Sequence, residues 1–255
     1  MKRMLNMLGS VGLLGAALML GGCGDASEKT PPTTGQVAIG PVTGAKVKVT
    51  NAASTTESAR FSNYSSRTDS SGTFTTPAAY ATALTTGNRL GLAYSSTGGT
   101  FTNISGATGK AAPDLATPAG FRNITPLSTL YNAASTANKA NLVALLGSQE
   151  VDTVFIGTIP DSLLLFAKLN NTIGEALHQF KVGSPTVTGT ALTAWYTGTA
   201  TALGILTPDQ AVDTTTLAVA LTASLPTTWT AAQKTTITNR LTMIARKTVT
   251  GAEIR

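Results

Sequence analysis

The sequence predicts an α+β protein in which an N-terminal antiparallel β-sandwich precedes a mostly α-helical C-terminal domain. Two observations lead to this prediction. Short runs of alternating apolar and polar residues, separated by Gly, Ser, Thr and Pro, extend to about residue 102, which favours an antiparallel sandwich. After Thr125 the apolar residues recur every three or four positions, which is typical of helices. We therefore assign residues 36–122 to the sandwich and residues 123–255 to the helical domain.

The clearest strand is predicted around Val47. Ala45, Val47 and Val49 alternate with Lys46 and Lys48, so one face of the strand is directed toward a core and the other toward water. The sequence Asp-Ser-Ser-Gly at 69–72 predicts a turn, because Asp bonds its own backbone and Gly tolerates positive φ. Further extended runs are predicted around residues 73–75, 90–94 and 100–102.

Parts of this region resemble a known family. The sequence GPVTGAKVKV at 40–49, followed by TDSSGTF at 68–74, resembles the carboxypeptidase regulatory-like, prealbumin-like sandwich of bacterial surface proteins. GGTF at 98–101, ATG at 107–109 and ITPLSTL at 124–130 are similar to proteobacterial envelope proteins in which such a sandwich leads into a helical region. The resemblance covers residues 36–130 and implies a noncatalytic spacer, assembly, or carbohydrate- and protein-binding module.

The first helix is predicted to begin after Thr125, an N-cap residue type, with Pro126 at the first helical position. It is expected to continue to about Gly147, a common C-terminal stop. A second helix is predicted to begin near residues 160–161 and to bury one stripe, which consists of Phe166, Leu169, Ile173, Leu177 and Phe180. Residues 191–206 and 213–225 predict two more helices, and Thr230 caps a last one that carries Ile237, Leu241 and Ile244.

The N-terminal residues have the order of an export signal. Lys2 and Arg3 precede an apolar run at 11–20 that is too short to span a bilayer. The run leads into Leu20, Gly21, Gly22 and Cys23, and this order resembles a bacterial lipoprotein signal peptide. The resemblance implies that a peptidase recognises Leu20, Gly21 and Gly22, removes residues 1–22, and leaves a lipidated Cys23 carrying fatty acyl chains such as palmitate.

Residues 23–35 are expected to form a flexible tether, because the segment after Cys23 contains no apolar residue larger than Ala or Pro. The lipid on Cys23 would then be the contact with the membrane. Gly24 stands where the resemblance associates aspartate with retention at the inner membrane, so the outer membrane is favoured within the cell envelope. Asp25, one position later, keeps the inner membrane as the alternative.

The composition argues against several classes of function. Charged residues make up 12% of the chain and the basic ones are scattered, which gives no sign of nucleic-acid binding. Cys23 is the one cysteine in the sequence, and its use for lipid would leave neither a disulfide nor a thiol nucleophile.

The candidates for catalysis and metal binding are few. His178 is the sole histidine; it lies beside the apolar stripe of its predicted helix and is expected to be exposed near Glu175. Zinc binding would need further histidine or free cysteine ligands, and the sequence has no second histidine and no free cysteine. We therefore predict no catalytic, cofactor-binding or metal-binding residues.

The remaining polar motifs have structural interpretations. Glu150 with Asp152, and Asp209 with Asp213, are expected to compensate helix N-termini. The sequence GATGK at 106–110 is expected to be a turn, since it lacks the first glycine and the hydroxyl of a phosphate loop.

The basic and aromatic residues of the helical domain are also given structural roles. Arg240 and Lys247 form no continuous basic stripe with their neighbours. Trp195, Tyr196 and Trp229 are expected to anchor helices, with a glycan platform as the less favoured alternative.

These observations predict a noncatalytic, lipid-anchored protein of the cell envelope that acts as a binding, adhesion or assembly module. An envelope protein or a glycan is the expected class of partner. The alternative is a hydrolase of envelope glycans or peptides with a Ser/Asp site that spacing does not reveal, and a purely structural spacer is a third interpretation.

Overall fold

The computed structural model describes residues 34–51, 65–76, 92–102, 106–147, 151–154, 164–183, 186–227 and 229–250, with the backbone alone at 50, 51, 65, 92 and 247–250. The first part of this chain is built from short strands. They are β1 Thr34–Gln36, β2 Lys46–Asn51, β3 Ser65–Arg67, β4 Thr73–Thr75, β5 Leu92–Thr97, β6 Thr100–Phe101, β7 Lys110–Ala111 and β8 Leu115–Thr117.

The second part consists of helices. They are α1 Pro126–Ala133, α2 Thr136–Leu146, α3 Leu164–Val182, α4 Gly189–Gly204, α5 Pro208–Ala211, α6 Thr214–Thr222 and α7 Ala231–Thr250. All strand pairs among the described strands are antiparallel. The predicted α+β class is therefore confirmed at the level of antiparallel strands followed by helices.

The strand β2 lies inside a four-stranded sheet with the order β3-β2-β5-β8. Val47 and Val49 are fully buried, whereas Lys46 is exposed and Lys48 is half-buried. Because successive side chains of a strand point to opposite faces, the alternation in the sequence correctly predicted which face of β2 meets the core. The strands β1 and β4 form a second sheet, and β6 pairs with β7.

The helix predicted from Thr125 to Gly147 is two helices. Thr125 caps α1 as predicted, and Gly147 ends α2 with a positive φ of 67°. Between them Ala134 is extended, and the side chain of Ser135 accepts a hydrogen bond from the backbone N–H of Asn138. Ser135 therefore starts a new helix, because a serine at this position satisfies an otherwise unpaired amide.

The later helices follow the predicted pattern. The residues of the stripe on α3, from Phe166 to Phe180, are all buried. The segments predicted as helices at 191–206 and 213–225 correspond to α4 and α6, and Thr230 caps α7. The short helix α5 was not predicted. It begins after Thr207 with a capping box and Pro208.

The strands and the helices share one hydrophobic core. Buried residues of the sheet, such as Val47 and Tyr94, belong to the same cluster as Leu130, Phe166 and Trp195 from the helices. All described residues lie in one compact unit, Pro31–Arg255. The division into a sandwich domain at 36–122 and a helical domain at 123–255 therefore stays a prediction.

The predicted lipidation motif, with Leu20, Gly21, Gly22 and Cys23, lies outside the described residues together with most of the tether. The last two residues of the predicted tether, Thr34 and Gly35, are described and lie in β1, where they pair with β4. Within the described part of the chain, every helix is too short or too polar to cross a bilayer.

Candidate functional site at the strand–helix junction

The sole histidine lies where the end of β7 meets α3. The Nδ1 atom of His178 is 2.7 Å from the backbone oxygen of Ala111. A carbonyl oxygen can only accept, so Nδ1 carries the proton and donates it. The ring of Phe101 meets the imidazole edge-on, with 5.4 Å between the ring centroids. The imidazole is thus fixed in its orientation by two residues of the strand region.

The prediction that His178 is exposed is wrong, since the residue is 6% exposed. Every residue from Thr172 to His178 is buried, so this part of α3 has no solvent face. The helix packs on α1 and α7, and the strand region covers it further at Ile39 and Ala111. The periodicity of α3 identified the most apolar stripe, but it could not show that a second layer covers the flank.

One turn later, Lys181 extends the same junction. Its Nζ atom donates to the backbone oxygen of Ala112 at 3.0 Å and to Oδ1 of Asp114 at 2.8 Å. The ion pair is partly exposed, with 64% of the Asp114 side chain accessible.

Burial raises the pKa of the nearby Tyr196 phenol far above its usual value, and the negative charge of Asp114 raises it further. The phenol therefore stays neutral at physiological pH.

The geometry of His178 suits a structural role. A general base needs a ring nitrogen within hydrogen-bond reach of a nucleophile and a group that orients the ring. Here Ala111 orients the ring, but within the described residues no hydroxyl group hydrogen-bonds to it. Together, His178 and Lys181 tie α3 to two consecutive backbone carbonyl groups, those of Ala111 and Ala112.

The carboxylate of Asp152 is also engaged with the backbone. Its Oδ2 atom accepts hydrogen bonds from the backbone N–H groups of Arg122 at 2.8 Å and Asn123 at 3.0 Å. Asp152 is 5% exposed. The role predicted for it, compensation of a helix N-terminus, is wrong, because both bonds go to a segment about 30 residues earlier. Its predicted partner Glu150 lies outside the described residues.

The second predicted carboxylate pair does lie at helix ends. Asp213 caps α6, and its Oδ1 accepts from the backbone N–H of Thr216 at 2.8 Å. This hydrogen bond holds the pKa of the Asp213 carboxyl below its usual value. Asp209 lies in the first turn of α5. The helix-end interpretation of these two residues is confirmed.

The first predicted loop motif, at 69–72, is a turn, and the second, at 106–110, is a bent loop that leads into β7. Oδ1 of Asp69 accepts from the hydroxyl of Ser71 at 2.7 Å and from the backbone N–H groups of Ser71 and Thr73. The bond from the Ser71 hydroxyl is the largest cause that lowers the pKa of Asp69. In the second motif Gly106 and Gly109 have positive φ, and Lys110 begins β7.

The aromatic residues of the helical part anchor helices, as predicted for Trp195. This side chain is fully buried, and its Nε1 donates to the backbone oxygen of Leu221 at 2.8 Å. The ring of Phe180 meets it edge-on at 4.8 Å between centroids. A glycan platform that includes Trp195 is therefore wrong, because a fully buried ring presents no face to a sugar. Tyr196 and Trp229 are half-buried.

The side chains of Lys234 and Arg240 on α7 lie in separate surroundings. Lys234 reaches the backbone oxygen of Thr227, while a guanidinium nitrogen of Arg240 lies close to Gly183 at the end of α3. The side chain of Lys247 lies outside the described part.

Sequence reasoning missed the two junctions in which Asp114 and Asp152 take part. Lys181 lies three positions after His178 on α3, which could have indicated a shared face. No pattern in the neighbouring sequence indicates that the groups accepting their hydrogen bonds, on residues 111, 112 and 114, lie 67 to 69 positions earlier.

Among the described residues, no group of three or more His, Cys, Asp or Glu side chains could hold a metal ion. Comparison with known proteins finds no matching family, no similar curated protein and no similar solved structure.

Proposed function

We propose that this chain is a noncatalytic, lipid-anchored protein of the bacterial cell envelope that acts as a binding, adhesion or assembly module. In this proposal a signal peptide at 1–22 is removed, Cys23 carries the lipid, and residues 23–33 are the tether, since Thr34 and Gly35 lie in β1. The strand region is a prealbumin-like sandwich, and the helices form the C-terminal domain. The outer membrane is the favoured location, and an envelope protein or glycan is the partner.

The observation that supports a noncatalytic role is the way in which the candidate catalytic groups are used. His178 donates to a backbone carbonyl, Asp152 accepts from two backbone amides, and Asp213 caps a helix. Each of these groups stabilises a junction of the fold. A catalytic group would instead be directed toward a place that a substrate can enter.

Lipid attachment is tested by metabolic labelling of cells with radioactive palmitate. We expect label in the wild-type protein and none in Cys23→Ala, because a thiol at position 23 is needed to carry the lipid. The matched control is Ser27→Ala, which changes a nearby residue of the predicted tether and is expected to keep the label. Membrane fractionation should then show Cys23→Ala in the aqueous fraction. Label that persists in Cys23→Ala would exclude lipidation at this residue.

The binding role is tested by capture of envelope proteins and cell-wall glycans on the immobilised protein. The first surface to alter is the patch formed by Asp114, Lys181 and Tyr196, because it combines a partly exposed ion pair with a half-buried phenol. We expect saturable binding that Asp114→Lys weakens. No saturable binding would leave the spacer interpretation, whereas release of fragments from the glycans or peptides would favour the hydrolase.

A further inference from the structure

The first strand of the described fold is held from both sides. On one side β1 pairs with β4, with Gly35 opposite Phe74. On the other side the backbone N–H of Ile124 donates to the oxygen of Gln36 at 2.8 Å, and that of Ala38 donates to the oxygen of Ile124 at 3.0 Å. The chain at 122–124 therefore acts as a second neighbouring strand, in a parallel direction.

A side chain completes this pairing. The backbone N–H of Gln36 donates to Oδ1 of Asn123 at 2.9 Å. The other end of the same side chain, Nδ2, donates to the backbone oxygen of Asp152 at 2.9 Å. Asn123 thus links β1 directly to the segment at 151–154.

Asp152 fixes the position of Asn123. Its carboxylate accepts from the backbone N–H groups of both Arg122 and Asn123. The hydroxyl of Thr125 donates to the backbone oxygen of Val151 at 2.8 Å, which joins the same segment to the cap of α1. Charge-assisted bonds of a buried carboxylate are stronger than bonds between neutral groups, so we expect each bond to Asp152 to contribute more than a neutral bond of this arrangement.

Close packing leaves no room for β1 to shift within this arrangement. A Cβ atom added to Gly35 would overlap the backbone oxygen of Arg122 and would lie 2.6 Å from the Phe74 ring. Glycine is therefore required where β1 passes between the 122–124 segment and the ring of Phe74.

We propose that Asp152 and Asn123 form a clasp that keeps β1 docked, and that β1 with the 122–124 segment opens as a local unit when the clasp is weakened. The strand has three residues, so its own ladder of hydrogen bonds is short. The clasp supplies the additional bonds that hold it. Under the proposed function, on which this part rests, β1 is where a pulling force on the lipid anchor reaches the fold, because its first residues, Thr34 and Gly35, are the last two of the predicted tether.

The clasp is tested by amide hydrogen exchange measured by NMR on the full chain in detergent. In Asp152→Asn we expect the amides of Gln36, Ala38 and Ile124 to exchange about tenfold faster or more, because charge-assisted bonds become neutral ones. Amides in the middle of α7 should keep their wild-type rates. The matched control is Asp213→Asn, which removes a carboxylate that caps α6 and is expected to leave the three β1 amides unchanged.

Two outcomes would overturn the clasp. Unchanged exchange at all three amides would show that Asp152 does not hold β1. A uniform increase that includes α7 would show that Asp152 contributes to global stability alone. If Asp152→Asn does not fold, Asn123→Ala serves instead, since it removes the acceptor for Gln36 and keeps the carboxylate. The measurement needs no lipid on Cys23, so failure of the lipid-anchor proposal would leave its result intact.

Discussion

At the scale of single residues, several buried polar groups of the described chain each satisfy a particular backbone group. Trp195 is the clearest example. Its indole N–H donates to the oxygen of Leu221, one of the carbonyl groups in the last turn of α6 that has no partner within its own helix. The same ring fills the core beside Phe180. One side chain therefore contributes both apolar burial and the capping of a helix end.

Replacement of Trp195 by Phe is expected to lower the free energy of unfolding by about 2–4 kcal/mol, because a buried acceptor loses its donor and a cavity remains. Urea denaturation followed by circular dichroism measures the change. Trp229→Phe is the matched control, since its side chain is half-buried, and it should cost clearly less. Equal losses in the two variants would contradict the role given to the Trp195 hydrogen bond.

At the scale of elements, helix starts are set by short-range hydrogen bonds that the sequence displays. Thr125 accepts from the backbone N–H of Ser128, and Ser128 accepts in return from the backbone N–H of Thr125. The sequence predicted this cap from Thr125 and Pro126 alone. It did not predict the separation of α1 from α2, because alanine residues on both sides of Ser135 are compatible with an uninterrupted helix.

Thr125→Ala is expected to lower the free energy of unfolding by about 2–3 kcal/mol. The variant loses the helix cap and also leaves the buried oxygen of Val151 without the Thr125 hydroxyl. Thr230→Ala, which removes an exposed cap from α7, is expected to cost about 1 kcal/mol or less. Urea unfolding of both variants makes the comparison. A loss for Thr125→Ala that does not exceed the loss for Thr230→Ala would show that Val151 finds another donor.

At the scale of the whole molecule, the strand region and α3 approach each other closely at Gly174. A Cβ atom at this position would lie 2.5 Å from a methyl group of Ile39 and 3.0 Å from the ring of Pro126. Both groups are stiff, because Ile is branched at Cβ and Pro is cyclic. The glycine therefore allows a loop of the strand region and the start of α1 to pack on the same helix.

Gly174→Ala is expected to destabilise the protein by about 1–2 kcal/mol in total. Alanine favours a helix over glycine by about 1 kcal/mol, but overpacking of a dense core typically costs about 1–3 kcal/mol, and the two stiff neighbours place this site toward the upper part of that range. Differential scanning calorimetry should show a lower Tm for this variant. Gly40→Ala is the matched control, because a Cβ atom there meets nothing within 4 Å, and its Tm should stay close to that of the wild type. A higher Tm for Gly174→Ala would mean that Ile39 relaxes freely.

The sequence by itself determined the features that depend on near neighbours in the chain. Alternation fixed the buried face of β2 at Val47 and Val49, a capping residue fixed the start of α1, and periodicity identified the buried stripe of α3. These patterns have physical causes within a few residues, namely the two-residue repeat of a strand, the unpaired amides of a helix and its 3.6-residue turn.

Only the tertiary structure decided which polar groups are buried and what they hold. His178 and Lys181 bond to residues 67 to 69 positions earlier, and Asp152 bonds to residues 29 and 30 positions earlier. Periodicity describes one face of one element, and it cannot show that a segment far away in the chain covers the adjacent face. The burial of His178 and the clasp at Asp152 arise because strands and helices pack on one shared core.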